Sequence, residues 1–593
     1  VAVNEQYQSV FPGDVNAVFD HGKRDVSRYP IATGTYYKMD YSAGVDISRY
    51  KNIPVPTSYM AIRSKYNFVG GYENDTHAGV LHVANHHVSP GKKQWTWGNG
   101  DFGQAWDRNL TDEDGPYIEL MTGVYTDNQP DFTWLQPYEE KTFTQYFIPY
   151  RELGVVKNAS SDLLMNIEPE GNASRLKIFA TSVQKDLHIV VVKEDEQVLD
   201  IIRDVTPEMI LEEWVPVDTL IGLRVSICNS KGKLLLSWEP EPNEIKEVPE
   251  PAKAALDPKD IQTTEQLYLT GLHLEQYRHA TYAATDYYEE ALSRDPDDVR
   301  NNNAMGLWLI RKGQFAKAEP YLRRAVKTLT EKNPNPYDGE PLYNLGLSLK
   351  YQGKTDEAYD CFYKACWNAA WQDAGYYSLA QLSASKGNWE DALYEIDKSL
   401  LRNWHNLRGR HLKAVVLRHL GRVDEALDLI RESLAIDCFN FGCSFEEYLL
   451  TGEKAVLDDL LVRMRSEGHN YEELSLDYAS AGCWEEALKV VEVAFEVVAS
   501  ERTLLYYYKS WFLLSLGRLK EAEMAICVAE HQSADCCFPN ALEAIKALQE
   551  VIRFADVVPK AHYYLGNLWY DKRQYPEAIA EWEKSVEQDD TFP

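Results

Sequence analysis

The stretch from Asn85 to Trp134 concentrates residue types that could do chemistry on a sugar. It contains two histidines, several carboxylates and four tryptophans, which Gly and Pro divide into short segments. Flat aromatic faces suit the C–H side of a pyranose ring, and a few well-placed polar groups suit its hydroxyls. The composition of this stretch therefore favours a carbohydrate site.

The segment that reads YIELMTG holds the candidate base. As a strand it has side chains that alternate between two faces, so Tyr117, Glu119 and Met121 share one face. The same rule puts Trp95 and Trp97 on one face of the segment QWTWG. A strand fixes a carboxylate more rigidly than a loop does, and neighbouring aromatics would raise its pKa by desolvation. Glu119 is accordingly predicted to act as a general base or as a hydroxyl-binding carboxylate.

The two adjacent histidines are the candidate acids. Ring opening at an anomeric carbon needs one group that takes the hydroxyl proton and another that protonates the ring oxygen, both within hydrogen-bond reach of the sugar. His86 or His87 could supply that proton, because imidazole titrates near neutral pH. Only one of two neighbours on a strand end can point towards Glu119, and the sequence leaves open which.

The remaining predicted site residues are aromatic or acidic. The predicted sugar-binding residues are Trp95, Trp97, Trp106, Asp107, Tyr117 and Trp134. We expect at least two of the four tryptophans to be partly exposed in one cleft near Glu119. The alternative is that the tryptophans belong to the core and that Glu119 pairs with a Lys or Arg on an exposed face.

The elements that carry these residues read as strands. From residue 1 to about residue 240, short β-type runs alternate with Gly, Pro, Asn and Asp, as in TFTQYFIPY, RLKIFATSV and LHIVVVKE. This pattern predicts an all-β sandwich or barrel. Residues 241–257 are rich in Pro and Glu, which block helix interiors and central strands, and we expect an extended acidic linker there.

The second half of the chain has an internal repeat. Small residues recur at a spacing of twelve and then seven positions in these sets: Gly306, Ala318 and Ala325; Gly346, Ala358 and Ala365; Ala380, Ala392 and Ser399; Ala414, Ala426 and Ser433; Gly566, Ala578 and Ser585. One small residue on a first helix and two on a second let the helices approach closely. Residues 258–593 are therefore predicted to form stacked helix pairs, with a distorted or extra pair at 438–471.

Both halves resemble known families. The spacing, with a period of about 34 residues, resembles the tetratricopeptide repeat, which implies a protein or peptide partner on the concave face. The blocks YQSVFPGDV, DHGKRDVSRYPI, HHVSPGKKQWTWG and YIELMTGVYTDNQPDFTW resemble a bacterial domain family of unknown function that is fused to such repeats. Its β part is similar to the galactose-mutarotase-like supersandwich of aldose epimerases and glycoside-hydrolase accessory domains. That similarity implies a strand carboxylate as base and a histidine as acid, which Glu119 and then His86 or His87 match, although the local motifs depart from the epimerase pattern.

Charge and composition argue against several classes of function. The net charge of −31 disfavours nucleic acid and anionic membranes as partners, and no apolar run reaches membrane-spanning length. Gly-rich phosphate loops, Ser-His-Asp arrangements and zinc-ligand spacings are absent from the sequence, so we expect no cofactor and no metal. Nine cysteines without metal-ligand spacing predict reduced thiols in the cytoplasm. We expect the parent chain to extend beyond both ends, and an upstream targeting signal stays an open alternative.

The sequence is consistent with three functions. The leading hypothesis is a carbohydrate-recognising β-sandwich, with catalysis left open, coupled to a tetratricopeptide scaffold that recruits a partner or a second copy. The enzymatic alternative is a glycoside hydrolase or an aldose-epimerase-type enzyme. The third is a pure interaction scaffold without a sugar ligand.

Overall fold

The chain folds into a β unit followed by an α unit. The computed structural model describes residues 1–126, 133, 135, 141–242, 247–277, 281–498, 503–535 and 537–591. The β unit ends at Leu256, and the α unit begins at Asp257. The predicted order of an all-β region and then a helical array is confirmed.

The β unit is built from short strands. They are β1 (Tyr7–Val10), β2 (Ala17–Phe19), β3 (Val26–Arg28), β4 (Ile31–Ala32), β5 (Thr35–Tyr36), β6 (Met39–Asp40), β7 (Val45–Asp46), β8 (Thr57–Ala61), β9 (Phe68–Glu73), β10 (Ala78–Ala84), β11 (Gly91–Thr96), β12 (Ile118–Gly123), β13 (Gln145–Arg151), β14 (Asn158–Ala159), β15 (Leu163–Glu170), β16 (Ala173–Ala180), β17 (Gln184–Lys193), β18 (Glu196–Val205), β19 (Leu211–Val215), β20 (Leu223–Cys228) and β21 (Leu234–Trp238). They form four main antiparallel sheets with the orders β1-β9-β10-β13, β12-β11-β8-β2-β3, β14-β15-β16-β19 and β18-β17-β20-β21. The pairs β4-β7 and β5-β6 form two small ribbons.

The sheet β1-β9-β10-β13 is buried on both faces. On one face Val69 of β9 packs with Val18 of β2 and Tyr59 of β8. On the other face Phe68 and Leu81 join the core of the two later sheets. Successive residues of β9 thus serve two cores, as alternation along a strand requires.

The Pro-rich stretch after β21 has no helix or strand in the residues between Glu239 and Leu256 that the structure describes. Two of its residues bond to the β unit. The Tyr66 hydroxyl donates to Glu241 Oε1 at 3.2 Å, and the Ala252 N–H donates to the Lys23 carbonyl oxygen at 2.6 Å. These bonds hold the stretch along the β unit.

One helix lies in the β unit and the others form the array. The helices are α1 (Asp101–Leu110), α2 (Thr264–Gln276), α3 (Ala284–Arg294), α4 (Val299–Arg311), α5 (Phe315–Glu331), α6 (Glu340–Tyr351), α7 (Thr355–Ala365), α8 (Gln372–Ser385), α9 (Trp389–Arg402), α10 (Leu407–His419), α11 (Val423–Ile436), α12 (Phe441–Thr451), α13 (Lys454–Met464), α14 (Gly468–Ser480), α15 (Trp484–Val497), α16 (Thr503–Ser515), α17 (Leu519–His531), α18 (Leu542–Phe554), α19 (Pro559–Asp571) and α20 (Tyr575–Gln588). Short 3₁₀ helices occur at Tyr50–Asn52, Pro258–Asp260 and Ala369–Trp371. No helix in the described ranges is long and apolar enough to cross a membrane.

Small residues lie where the two helices of a pair touch. Ala358 and Ala365 of α7 are fully buried. A Cβ placed on Gly346 of α6 would lie 2.6 Å from the ring of Phe362 in α7. The predicted spacing of twelve and seven residues therefore marks the contacts within helix pairs, such as α4/α5, α6/α7 and α8/α9.

The predicted irregularity at 438–471 is confirmed as an inserted pair, α12/α13. Side chains of α10 bond not only to this pair but also to the following one. Arg408 Nη2 donates to Glu473 Oε2 of α14 at 2.6 Å, and Arg418 Nη2 donates to Glu486 Oε1 of α15 at 2.8 Å.

Distant helices of the array also contact one another. Gln381 Nε2 of α8 donates to Ser480 Oγ of α14 at 2.7 Å. The Tyr351 hydroxyl of α6 donates to Glu543 Oε1 of α18 at 3.0 Å. Tyr351 and Gln381 therefore bind other helices of the array and are not free to bind a peptide.

Candidate functional site

Three of the predicted tryptophans form one cluster on the surface of the β unit. The rings of Trp95 and Trp97 on β11 and the segment just after it lie 5.6 Å apart, edge to face. Trp97 stacks on Trp106 of α1, with ring centres 4.8 Å apart and an interplanar angle of 13°. Trp95 and Trp97 are half-buried, and Trp106 is 38% exposed. We call Trp95, Trp97 and Trp106 the tryptophan cluster.

A tight turn brings α1 onto β11. Gly98 has φ +79°, a left-handed conformation that favours glycine. A side chain at Gly103, in the first turn of α1, would overlap the carbonyl oxygen of Gly98. This close approach places Trp106 against Trp97. The sequence suggested only short strands in this stretch, so α1 is a correction.

Glu119 lies beside the cluster on the neighbouring strand. It is the cross-strand partner of Trp95 in the β11/β12 register and is exposed. Ile118 and Leu120 point into the core, so the predicted alternation of β12 is confirmed. In the part of the chain that the structure describes, no lysine or arginine forms an ion pair with Glu119. Its carboxylate is thus available to a ligand.

Two further residues complete the surroundings of the cluster. Trp97 Nε1 donates to the Tyr117 hydroxyl oxygen at 3.2 Å, which fixes the indole plane. His21, in the loop after β2, approaches Trp95 edge to face at 5.6 Å. Sequence reasoning missed His21, because it is 74 positions from Trp95 and only the sheet order β11-β8-β2 brings the two together.

His86 and His87 lie in a different place. Their rings are 4.0 Å apart, and His86 Nδ1 is 2.8 Å from Asn67 Oδ1. Burial lowers the pKa of His86, and the neighbouring His87 and Lys92 lower it further. Both histidines line a cavity of about 500 Å³ together with residues such as Tyr146 and Ser160.

The strand register separates the histidines from Glu119. Both histidines precede Gly91, the first residue of β11, which pairs with Gly123. Glu119 pairs with Trp95, which lies four residues further along β11. Four strand residues span about 13 Å. The structure therefore brings Glu119 and the tryptophan cluster together and leaves the two histidines apart, and the catalytic role of all three residues stays a prediction.

Asp107 is the least accessible of the predicted sugar-binding residues. It is 5% exposed on α1, and neither carboxylate oxygen has a hydrogen-bond partner among the described residues. Burial raises its pKa, and Arg108 partly offsets this effect. Asp107 is thus largely shielded from solvent, whereas Trp106 is exposed. Trp134 lies outside the described residues.

One group of possible metal ligands occurs in the described helices. His419, Cys483 and Glu486 have ligand atoms within 4.8 Å of one another. However, Glu486 already accepts a hydrogen bond from the guanidinium of Arg418 at 2.8 Å. A cation thus already neutralises this carboxylate.

Comparison with protein families finds matches in both units of the chain and divides the β unit into two regions. Residues 1–150 match a domain of unknown function (DUF5107), residues 158–238 match the second domain of YphG-like proteins, and residues 559–592 match the tetratricopeptide repeat. The chain joins a DUF5107 domain to tetratricopeptide repeats.

Individual proteins are similar to parts of the chain. Human tetratricopeptide repeat protein 7A is 34% identical over 99 residues, which are 17% of this chain and 11% of that protein. The chain thus spans about a tenth of that relative's length. The structure of MamA is 21% identical and covers 29% of this chain and 91% of its own, with a TM-score of 0.26. Pseudomonas aeruginosa PilF is 18% identical and covers 36% of this chain and 97% of its own, with a TM-score of 0.30.

Proposed function

We propose that the DUF5107 domain binds a neutral carbohydrate on the tryptophan cluster, and that the repeats couple this domain to a protein partner. A pyranose would lie with its C–H face against an exposed indole, and Glu119 would accept hydrogen bonds from its hydroxyls. The observation that carries the proposal is the contact of three partly exposed tryptophans beside an exposed carboxylate that forms no ion pair with a described lysine or arginine.

Binding is favoured over catalysis by the placement of the polar groups. An epimerase or glycoside hydrolase needs an acid and a base within hydrogen-bond reach of one sugar. Glu119 could serve as the base, but His86 and His87 lie in a separate cavity. The mutarotase-like resemblance supports the choice of ligand class, while an epimerase or glycoside hydrolase activity is the alternative that an assay must exclude.

The test is titration calorimetry of the full chain with neutral monosaccharides and short oligosaccharides. We expect Trp106→Ala to weaken the affinity for the bound sugar about fivefold, because an aromatic contact contributes roughly 1 kcal/mol. Trp214→Ala is the matched control, since Trp214 is 54% exposed on β19, away from the cluster. If no sugar binds, or if the two variants bind alike, the carbohydrate proposal is wrong and the chain is a pure interaction scaffold.

The α unit favours a role in protein interaction, as its tetratricopeptide repeats indicate. Large aromatic side chains are exposed in the loops that follow α7, α9 and α11: Trp367 is 63% exposed, Trp404 51% and Phe439 61%. Contiguous exposed apolar surface marks interaction sites. Because first helices contact one another across the array, we infer that the partner docks along this loop edge.

Affinity capture tests this inference. The full chain and the double variant Trp367→Ala/Trp404→Ala would be used to capture proteins from the source cells, with Trp214→Ala as control. We expect the double variant to lose a specific partner that the control retains. Retention of every partner by the double variant would place the docking surface elsewhere.

A further inference from the structure

A second cavity in the β unit is lined by none of the three residues of the tryptophan cluster. It has a volume of about 940 Å³ and lies between the sheet β1-β9-β10-β13 and the segment around β16 and β19. Its walls are largely apolar and include Val80, Pro149, Phe179, Met209 and Ile210. We call this cavity the Glu73 pocket, after the carboxyl group that lines it.

Two polar atoms in the pocket have no hydrogen-bond partner in the residues described. They are Oε2 of Glu73 and the hydroxyl of Tyr7, a side chain that is 1% exposed. The two residues are direct cross-strand partners on β1 and β9. Gly71 makes this arrangement possible, because a side chain there would overlap the Tyr7 hydroxyl. Unpaired buried polar atoms are rare in proteins and often indicate a missing ligand.

The pocket also has more acidic than basic side chains in its walls. Glu152, Glu208 and Glu212 line it together with Glu73, Arg151 is its basic side chain, and Glu212 is paired with Lys177 at 3.3 Å. Glu73 forms no ion pair among the residues that the structure describes. Its other oxygen, Oε1, accepts one hydrogen bond, from the Asn4 N–H at 3.0 Å.

Burial of the Glu73 carboxyl group perturbs its titration. Burial raises the pKa of Glu73 to about 7, and the nearby charge of Asp75 adds to the effect. A cation placed beside the carboxylate would favour its ionised form.

The geometry points to a binding site for a small organic cation in the Glu73 pocket. A primary ammonium group of the ligand would donate hydrogen bonds to Glu73 Oε2 and to the Tyr7 hydroxyl oxygen. Its carbon skeleton would lie against Phe179, Pro149 and Val80. An anion would meet several carboxylates, and a neutral hydroxyl would leave the charge of Glu73 uncompensated.

Matched pairs of ligands test the need for the ammonium group. Thermal-shift and calorimetric measurements on the full chain would compare benzylamine with benzyl alcohol, and 2-phenylethylamine with 2-phenylethanol. We expect at least one amine to raise the melting temperature and its neutral counterpart to have no effect. Equal effects within both pairs, or no effect of either amine, would overturn the proposal.

Variants then assign the binding to this pocket. Glu73→Gln keeps the shape of the side chain and should weaken binding of the amine at least tenfold, because a charge-assisted hydrogen bond is lost. Tyr7→Phe removes only the hydroxyl and should weaken binding several-fold. Glu196→Gln, at an exposed position at the start of β18, is the matched control and should bind normally. Full affinity in both pocket variants would refute the assignment.

This site is independent of the tryptophan cluster. Trp106→Ala should bind the amine as well as the unmodified chain does, and Glu73→Gln should keep any affinity for neutral sugars. The two proposals can therefore fail separately. Loss of amine binding in Trp106→Ala would also overturn the proposal, since it would move the amine to the cluster.

Discussion

Ala318 of α5 offers a sharp test of how the helix pairs pack. Its side chain is fully buried, whereas that of Ala316, two residues earlier in the same helix, is exposed. Leu322, one turn later, is also fully buried and fills the space beside Gly306 of α4. Ala318→Leu would therefore insert an isobutyl group into a contact that has only a methyl group, while Ala316→Leu would add the same group in solvent.

The expected cost follows from this difference in burial. Overpacking of a well-packed core costs about 1–3 kcal/mol, and Leu has nearly the helix propensity of Ala. We expect Ala318→Leu to lower the free energy of unfolding of the α unit by about 1–3 kcal/mol. For Ala316→Leu we expect a change within about 0.5 kcal/mol. At about 2 °C per kcal/mol for a large unit, the melting temperature of Ala318→Leu falls by roughly 2–6 °C.

Circular dichroism of the full chain in the far ultraviolet measures this, because most helices of the chain lie in the α unit. Both variants and the unmodified chain would be melted under the same conditions. Coinciding melting curves for Ala318→Leu and Ala316→Leu would refute the packing role assigned to the small-residue spacing.

Three further predictions concern charged groups. Glu446→Gln should destabilise the α unit by about 3 kcal/mol in chemical denaturation, because the buried Glu446 carboxylate accepts two hydrogen bonds from Arg418; an unchanged midpoint would contradict this. Burial raises the pKa of Asp477 to about 7, although Arg408 at 3.4 Å partly offsets this effect. Ionisation of Asp477 therefore opposes folding at pH 7 and above, and this penalty fades as the pH falls towards 4. Asp477→Asn should therefore stabilise the chain at pH 8, by at most about 4 kcal/mol, and not at pH 4; a gain that is independent of pH would be evidence against this account. Glu119→Gln should leave the melting temperature unchanged and, given a sugar-converting activity, lower turnover by about 10²-fold or more in a kinetic assay; undiminished turnover would reject Glu119 as the base.

The sequence predicted those features that depend on local periodicity. The spacing from Gly346 to Ala358 and Ala365 marks helix-pair contacts, because residues at fixed helical intervals share a face whatever the rest of the chain does. Alternation along a strand likewise predicted that Glu119 would lie on the face opposite to Ile118 and Leu120, which are buried. The proximity of Trp95 and Trp97 followed from the same rule.

The tertiary structure decided the features that depend on strand register and on contacts distant in sequence. His86 is apart from Glu119 because the register of β11 and β12 places Glu119 opposite Trp95, well beyond the histidines along the chain. No local sequence pattern encodes the register between two strands. The helix α1 forms within a stretch that reads as short strands, because Gly103 lets the first turn of α1 pack directly on the Gly98 backbone. The Glu73 pocket needs the pairing of Tyr7 with Glu73, 66 positions away, and then the packing of a second sheet over both. Such contacts depend on how the sheets pack together. That packing is determined by all core interactions acting together, and a local sequence pattern does not reveal it.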